Sequence, residues 1–158
     1  MKNLIGIEKA SAKQISEKLN ELLASYQVFY QNLRGFHWNV TGPNFFELHA
    51  KFESMYNEAA TAIDEIAERI LKLENSPLHN FGDYLKVSKV EGVKNVSKDT
   101  ATVKHTIENM SQLLKIERKI LKLASDANDE GTIVLIDDLI SSKEKAVWMF
   151  SAFLKKAA

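Results

Sequence analysis

The sequence predicts an all-α fold with four long helices in a bundle and a long crossover, carrying one short helix, between the second and third. Apolar residues recur every three or four positions along four long stretches, which is the period of a helix with one buried face. Both prolines lie between these stretches, where they interrupt no helix. No stretch alternates apolar and polar residues over any length, as a half-buried strand would.

The first ten residues are expected to form a short tail before helix one. Ser11 and Gln14 have the spacing of a capping box, so the helix is expected to begin there and to end near Gly35. Its apolar face consists of Ile15, Leu19, Leu22, Leu23, Tyr26, Phe29, Tyr30 and Leu33.

Helix two is expected to begin after Gly42-Pro43, with Asn44 and Glu47 placed to cap it. It should end at Asn75-Ser76-Pro77, because proline cannot continue a helix and disfavours helical backbone in the residue before it. Its apolar positions are Leu48, Phe52, Met55, Ala59, Ile63, Ile66, Ile70 and Leu73.

A long connection from Leu78 to Lys98 separates helices two and three, and a short helix is expected within it from Phe81 to Val87. Such a connection can run the height of a bundle, so helices two and three can point the same way. Helix three is expected from Asp99 to Ala127, and helix four after the turn at residues 128–132. One long crossover in a four-helix bundle is the connectivity of a ferritin-like fold, here a single domain over residues 1–158. The apolar positions of the last two helices are Val103, Ile107, Met110, Leu114, Ile120, Leu121, Ile133, Ile136, Leu139, Ile140, Val147, Trp148, Phe150 and Leu154.

Composition limits the function classes. The 158 residues include 21 Lys plus Arg and 21 Asp plus Glu, so bulk charge attracts neither nucleic acid nor an anionic membrane. Cysteine is absent, which leaves His and carboxylate as the strong metal donors. No apolar run approaches the roughly 20 residues of a membrane span, and the first residues lack the apolar core of a signal peptide. We therefore expect a cytoplasmic protein, with association with the nucleoid left open.

Four potential metal ligands lie on one stripe of helix two: His49, Glu53, Asp64 and Glu68. Spacings of four residues place side chains one turn apart, and eleven residues return a helix to nearly the same azimuth. Glu53 and Asp64 are nevertheless roughly 16 Å apart along the axis, whereas ligand atoms must lie about 2 Å from a shared ion. One straight helix therefore cannot complete the site.

The stripe is symmetric about the point between Glu58 and Ala59. An antiparallel copy of helix two, related by a twofold axis at that point, would bring Glu53 of one chain toward Asp64 of the other and His49 toward Glu68. Small residues cluster at the expected crossing, where they would let the helices approach closely: Ala59, Ala60 and Ala62. The spacing thus predicts a homodimer with metal sites in its interface. The Glu-x-x-His signature of ferritin-like sites inside one bundle is absent, since Arg34, Phe46, Ser76 and Thr102 precede the four histidines by three residues.

The motif from His37-Trp38-Asn39-Val40 through Phe45-Phe46 to His49, followed by residues 64–70, resembles the Dps family, the miniferritins named as DNA-binding proteins from starved cells. The resemblance extends to residues 129–132 and to Trp148-Met149. It implies a hollow shell of twelve four-helix subunits that binds Fe(II) at dimer interfaces, oxidises it preferentially with hydrogen peroxide, and stores the ferric product. The family's ferroxidase ligands match His37, His49, Glu53, Asp64 and Glu68.

The family often has Asp where this chain has Glu53, and the extra methylene could shift that carboxylate or make it a ligand through water. Imidazole and carboxylate accept Zn(II) as well as Fe(II), so the ligands alone do not select the metal. We further hypothesise that Trp38, next to a ligand, exchanges an electron when only one iron is present. Trp148 and Met149 are assigned to the core or an interface.

Three alternatives remain open. Asp126, Asp129 and Glu130 could form an acidic funnel for cations where three subunits meet, or a solvated loop. DNA binding is a second function, but the ends offer few lysines, namely Lys2, Lys9, Lys13, Lys155 and Lys156, so we expect it to be weak or absent. A bundle that assembles without iron chemistry is the third. His79 and His105 have no ligand partners at suitable spacing.

Overall fold

The structure is a computed structural model that describes residues 1–155. The described residues form five helices, and their β-structure is limited to two isolated bridges. None of the helices within residues 1–155 combines the length and apolarity needed to cross a membrane. The helices are α1 (Lys9–Asn39), α2 (Phe45–Lys72), α3 (Phe81–Val87), α4 (Asp99–Asp126) and α5 (Glu130–Leu154).

The long helices form a four-helix bundle of two hairpins, α1 with α2 and α4 with α5, joined through the contact of α1 with α4. The crossover ends beside the loop that precedes α2, where the Thr41 N–H donates to the Ser97 carbonyl at 2.8 Å. Helices α2 and α4 therefore begin at the same end of the bundle and point the same way. The predicted all-α, ferritin-like connectivity, including the short helix at residues 81–87, is confirmed.

The core lies along the bundle axis and matches the apolar positions expected from the sequence. Phe52, Leu19, Ile66 and Ile120, for example, are fully buried. Several other expected positions are only half-buried and pack against this core: Tyr30, Ile63, Ile107, Leu114, Leu121, Ile133, Leu139, Val147 and Leu154. Within α5, Trp148 and Met149 are 68% and 46% exposed, so they do not belong to the core of this chain.

The start of α1 differs from the expectation. The helix begins at Lys9, its N-cap Glu8 makes no side-chain capping bond, and the predicted capping box at Ser11 is wrong. Its end also differs, because it continues past Gly35 to Asn39 and carries His37 in its last turn. Residues 1–8 are docked: the Asn3 side chain accepts from the Ile7 N–H at 2.9 Å, and the Leu4 N–H donates to Glu74 Oε1 at 2.8 Å.

Backbone turns, and not proline, end α2 and α4. Glu74 and Asn128 adopt positive φ angles of 62° and 53°. Beyond Glu74, the Asn75 N–H donates to the Ile70 carbonyl at 3.1 Å, which is the bond of a Schellman motif. The stop assigned to Pro77 was therefore wrong, since α2 ends at Lys72. At the other end, Asn44 makes no capping bond but donates to Asp99 Oδ2 at 2.9 Å, which ties the α1–α2 loop to α4.

Candidate metal centre

Two histidines pair where the end of α1 meets the start of α2. His37 Nδ1 lies 2.6 Å from the His49 carbonyl oxygen, and His49 Nδ1 lies 2.7 Å from the His37 carbonyl oxygen. The two rings stack, with centroids 3.8 Å apart and an interplanar angle of 11°. Each residue thus orients the other through one backbone hydrogen bond.

These hydrogen bonds fix the tautomer of both rings. A carbonyl oxygen can only accept, so each Nδ1 must carry a hydrogen. In a neutral imidazole the other nitrogen, Nε2, then keeps its lone pair, which is the form that binds a metal ion. Contacts within the chain therefore orient His37 and His49 and leave the Nε2 lone pair of each neutral ring available.

Aromatic side chains enclose the histidine pair. The Tyr56 ring meets His37 edge-on at 5.4 Å, and the Phe45 ring stacks on His49 at 5.0 Å. His37 is 8% exposed, whereas His49 is half-buried. This packing limits ring rotation and leaves a partly open approach to the pair.

The three carboxylates of the predicted site, Glu53, Asp64 and Glu68, are exposed on α2. None forms an ion pair with another residue of the described chain, and this includes Glu68 and Lys72, which lie one helical turn apart. Helix α2 is uninterrupted over its 28 residues. Within residues 1–155 no group of three or more His, Asp or Glu side chains is close enough to hold a metal ion.

An apolar stripe lies beside these carboxylates on the outward face of α2. The half-buried Tyr56, Ile63 and Ala67 and the exposed Ala60 follow one another at helical spacing, and Leu71 is 58% exposed. By contrast, Ala59 and Ala62 are 3% and 5% exposed and pack inside the bundle. The expectation that all three alanines lie at a helix crossing was wrong, because only Ala60 faces outward.

A buried ion pair anchors the end of α2 next to Glu68. Arg69 Nη2 donates to Asp129 Oδ1 at 2.6 Å, and Arg69 Nε donates to Thr132 Oγ1 at 2.9 Å. Asp129 also caps α5 by accepting from the Thr132 N–H at 3.1 Å. A Cβ at Gly131 would lie 2.6 Å from Arg69 Nη1, so a side chain there would displace the guanidinium. The motif at residues 129–132 therefore holds Arg69.

The same contacts make Asp129 unsuitable for the suggested acidic funnel. Asp129 is 1% exposed and bound to Arg69. Asp126 pairs with Lys122 at 3.1 Å on the surface, and Glu130 is exposed. Of the three suggested residues, Asp126 and Glu130 remain on the surface and Asp129 does not.

A second buried ion pair, Glu117 with Lys143, was also missed from the sequence. Lys143 Nζ donates to Glu117 Oε2 at 2.7 Å, and the two side chains are 7% and 0% exposed. Burial raises the pKa of Glu117 to about 7 against the attraction of Lys143, and burial lowers the pKa of Lys143. The sequence does carry a signal for the burial of Glu117, because this residue falls on the helical spacing of the apolar residues Met110, Leu113 and Ile120.

Comparison with known proteins identifies the family. A family model described as a ferritin-like domain matches residues 16–158. The chain is 46% identical over 151 residues to an uncharacterized protein of Haemophilus influenzae, covering 96% of this chain and 94% of that protein. It is 40% identical over 151 residues to the DNA protection during starvation protein of Porphyromonas gingivalis, covering 96% of this chain and 95% of that protein.

Solved structures agree with these relatives. The crystal structure of the Dps protein from Vibrio cholerae O1, described as a member of the ferritin-like diiron-carboxylate superfamily, superimposes with a TM-score of 0.95 at 45% identity. The match covers 98% of this chain and 97% of that structure. With the ferritin-like connectivity and the shared length, this chain belongs to the Dps family within the ferritin-like superfamily.

Proposed function

We propose that this protein stores and detoxifies iron, and that it oxidises Fe(II), preferentially with hydrogen peroxide, at sites formed between two chains. The observation that carries the proposal is the reciprocal His37–His49 pair, in which each Nδ1 is held by a backbone carbonyl and each Nε2 is left for another partner. Family membership supports the same chemistry, because the structural relative from Vibrio cholerae is described as a diiron-carboxylate protein.

In this proposal His37 and His49 of one chain, with Glu53, face Asp64 and Glu68 of the other across a twofold axis. The outward apolar stripe of Tyr56, Ala60, Ile63 and Ala67 supports contact at this face, because an isolated chain would leave it against water. Each carboxylate is exposed and unpaired within the described chain, and is therefore available to a second molecule. The five residues together supply imidazole and carboxylate, which suit iron and also admit zinc as a competitor.

Fe(II) is the substrate of the proposed reaction. Two Fe(II) ions would each give one electron to one molecule of hydrogen peroxide, whose O–O bond breaks. Its oxygen atoms become hydroxide or enter the ferric product, and hydrolysis of Fe(III) releases protons to water. The carboxylates favour the Fe(III) product, since hard oxygen ligands suit the higher charge. Such a two-electron path consumes peroxide without releasing hydroxyl radical.

Exposed apolar side chains elsewhere support assembly beyond a dimer, and we propose a dodecamer. Phe46, Phe81, Leu85, Val134 and Trp148 are each at least 61% exposed, and helix α3 contributes no buried residue to its own chain. Soluble proteins rarely leave so many large apolar groups against water unless another surface covers them. Light scattering should give about 215 kDa for twelve chains of 17.9 kDa.

DNA binding is proposed to be weak or absent. Residues 1–8 do not form a free basic arm, since the Leu4 N–H donates to Glu74 Oε1 at 2.8 Å and Ile7 is buried. Lys156 lies outside the described residues. A gel shift at low salt that disappears near physiological salt would indicate only weak electrostatic contact with phosphates.

Fe(II) oxidation with peroxide tests the function. The purified protein is loaded anaerobically with Fe(II), mixed with hydrogen peroxide, and followed by ultraviolet absorbance of the ferric product. We expect His49→Ala to lose at least tenfold in initial rate and His79→Ala, an exposed histidine in the crossover, to match the unmodified chain. Equal rates in both variants would refute the proposed site, and no oxidation above the protein-free rate in the unmodified chain would indicate a shell without iron chemistry.

A further inference from the structure

All four long helices line a cavity of about 270 Å³ near the middle of the bundle. Its wall includes Tyr26 of α1, Met110 of α4 and Lys143 of α5, and α2 contributes the carboxylates Glu58 and Glu65. Glu58, Glu65 and Ser142 are exposed at the seam where α2 and α5 make few contacts. A small cation in solvent therefore has a path to the interior.

A buried carboxylate lies next to this cavity. Glu117 Oε2 accepts the hydrogen bond from Lys143 Nζ at 2.7 Å, whereas Glu117 Oε1 is buried without a partner in the described chain. Burial of a carboxylate is costly unless a positive charge and hydrogen bonds compensate it. Lys143 supplies that charge.

The surroundings of the Lys143 ammonium are those of a bound cation. Nζ donates to Glu117 Oε2 and, at 3.0 Å, to the Leu139 carbonyl, and it lies 4.7 Å from the centre of the Tyr26 ring. Carboxylate, carbonyl and the negative face of an aromatic ring all attract positive charge. Glu58 and Glu65 add negative charge along the same cavity.

We propose that the ammonium of Lys143 occupies the cation position of a carboxylate-lined pocket and thereby excludes divalent metal ions from the centre of the bundle. Without that ammonium, both oxygens of Glu117 lack partners, and hard oxygen donors of this kind favour a divalent cation such as Mn²⁺. Lys143 is thus a specificity-determining residue that confines metal binding to sites outside the bundle. The pocket lies within one chain, so this assignment does not depend on the proposed chemistry at the dimer interface.

Removing the ammonium tests the proposal, with Mn²⁺ alone as the probe. Full-length assembled protein carrying Lys143→Ser is titrated with MnCl₂, and free Mn²⁺ is counted by electron paramagnetic resonance. We expect one more bound Mn²⁺ per chain than in the unmodified protein, and a melting temperature that rises with Mn²⁺ more than in the unmodified protein. The matched control Lys143→Ser/Glu117→Gln should lose the additional ion, because the carboxylate is gone.

A second variant controls for the side-chain volume that Lys143→Ser removes. Lys143→Gln keeps most of the side-chain volume and can still donate to Glu117, so it should gain the Mn²⁺ more weakly than Lys143→Ser. Equal Mn²⁺ counts in the unmodified protein, Lys143→Ser and Lys143→Gln would overturn the proposal. Retention of the additional ion in the double variant would overturn it as well, since Glu117 would then not be the ligand.

Discussion

Two variants that are inactive alone should restore each other when their chains are mixed. His49→Ala removes a ligand from the imidazole half of the proposed site, and Asp64→Asn removes one from the carboxylate half. Within one α2 helix the Glu53 and Asp64 positions are about 16 Å apart along the axis, so a single chain cannot supply both halves. In a shell assembled from equal amounts of both chains, an intact site needs its imidazole half from one variant and its carboxylate half from the other. Random pairing gives this arrangement in about one site in four.

The expected initial rate of the mixed shell is therefore about a quarter of that of the unmodified protein. Both chains are co-expressed with different tags, their ratio is measured by mass spectrometry, and Fe(II) oxidation by peroxide is followed by stopped-flow absorbance. Mixing His37→Ala with His49→Ala is the control, since both substitutions fall in the same half and no intact site can form. A mixed rate no higher than that of the two separate variants would refute a site shared between chains.

Three further outcomes follow from the structure. Arg69→Ala should lower the free energy of unfolding by about 3 kcal/mol, because it leaves Asp129 buried without its charge partner. As a control, Arg118→Ala breaks an exposed pair with Glu144 and should cost less than about 1 kcal/mol. Denaturant titration measures both losses, and equal losses would contradict the assignment. Because the pKa of Glu117 rises from 4.5 to about 7 on folding, the folded state keeps a proton that the unfolded chain loses. The contribution of Glu117 to stability therefore declines as pH rises through that range, by at most about 3 kcal/mol. In denaturant titrations a Glu117→Gln variant should show a free energy of unfolding that depends less on pH across this range, and parallel curves would argue against the raised pKa. Trp38 is 56% exposed beside His37, with the Arg34 guanidinium 4.8 Å from its ring centre. Trp38→Phe should raise the yield of hydroxyl radical during peroxide oxidation at low iron loading. An unchanged spin-trap signal would exclude electron exchange by this ring.

The helices and their order could be predicted from the sequence because burial leaves a periodic trace. Leu19, Phe52 and Ile120 repeat at helical spacing and are fully buried. Helix ends were less predictable, since they depend on backbone conformation and backbone hydrogen bonds, which the residue type indicates only weakly. Glu74 takes a positive φ of 62° that is more typical of glycine, and nothing in its side chain marks that turn. Asn44 has the right type for a cap but donates to Asp99 instead.

The candidate site also has features that the sequence could predict and features that it could not. The spacing of His49, Glu53, Asp64 and Glu68 could be read from the sequence because one helix fixes their azimuths. The orientation of His37 could not, since it depends on a carbonyl twelve residues away, that of His49. Ala59 and Ala62 were placed wrongly because small residues fit equally well at a helix crossing and inside a bundle, and only the packing distinguishes the two.

The two buried ion pairs support the proposal that metal binds at the surface of the chain. Arg69 with Asp129 and Lys143 with Glu117 bring the most deeply buried acidic groups of the bundle against cations of the chain itself. Glu53, Asp64 and Glu68 have no such cation and remain exposed on α2. A carboxylate already neutralised by lysine or arginine gains little from a metal ion, whereas an unpaired one gains the full attraction. The described chain thus compensates these two buried acidic groups internally, whereas Glu53, Asp64 and Glu68 stay without an ion pair and are available to the second subunit and the iron of the proposed site.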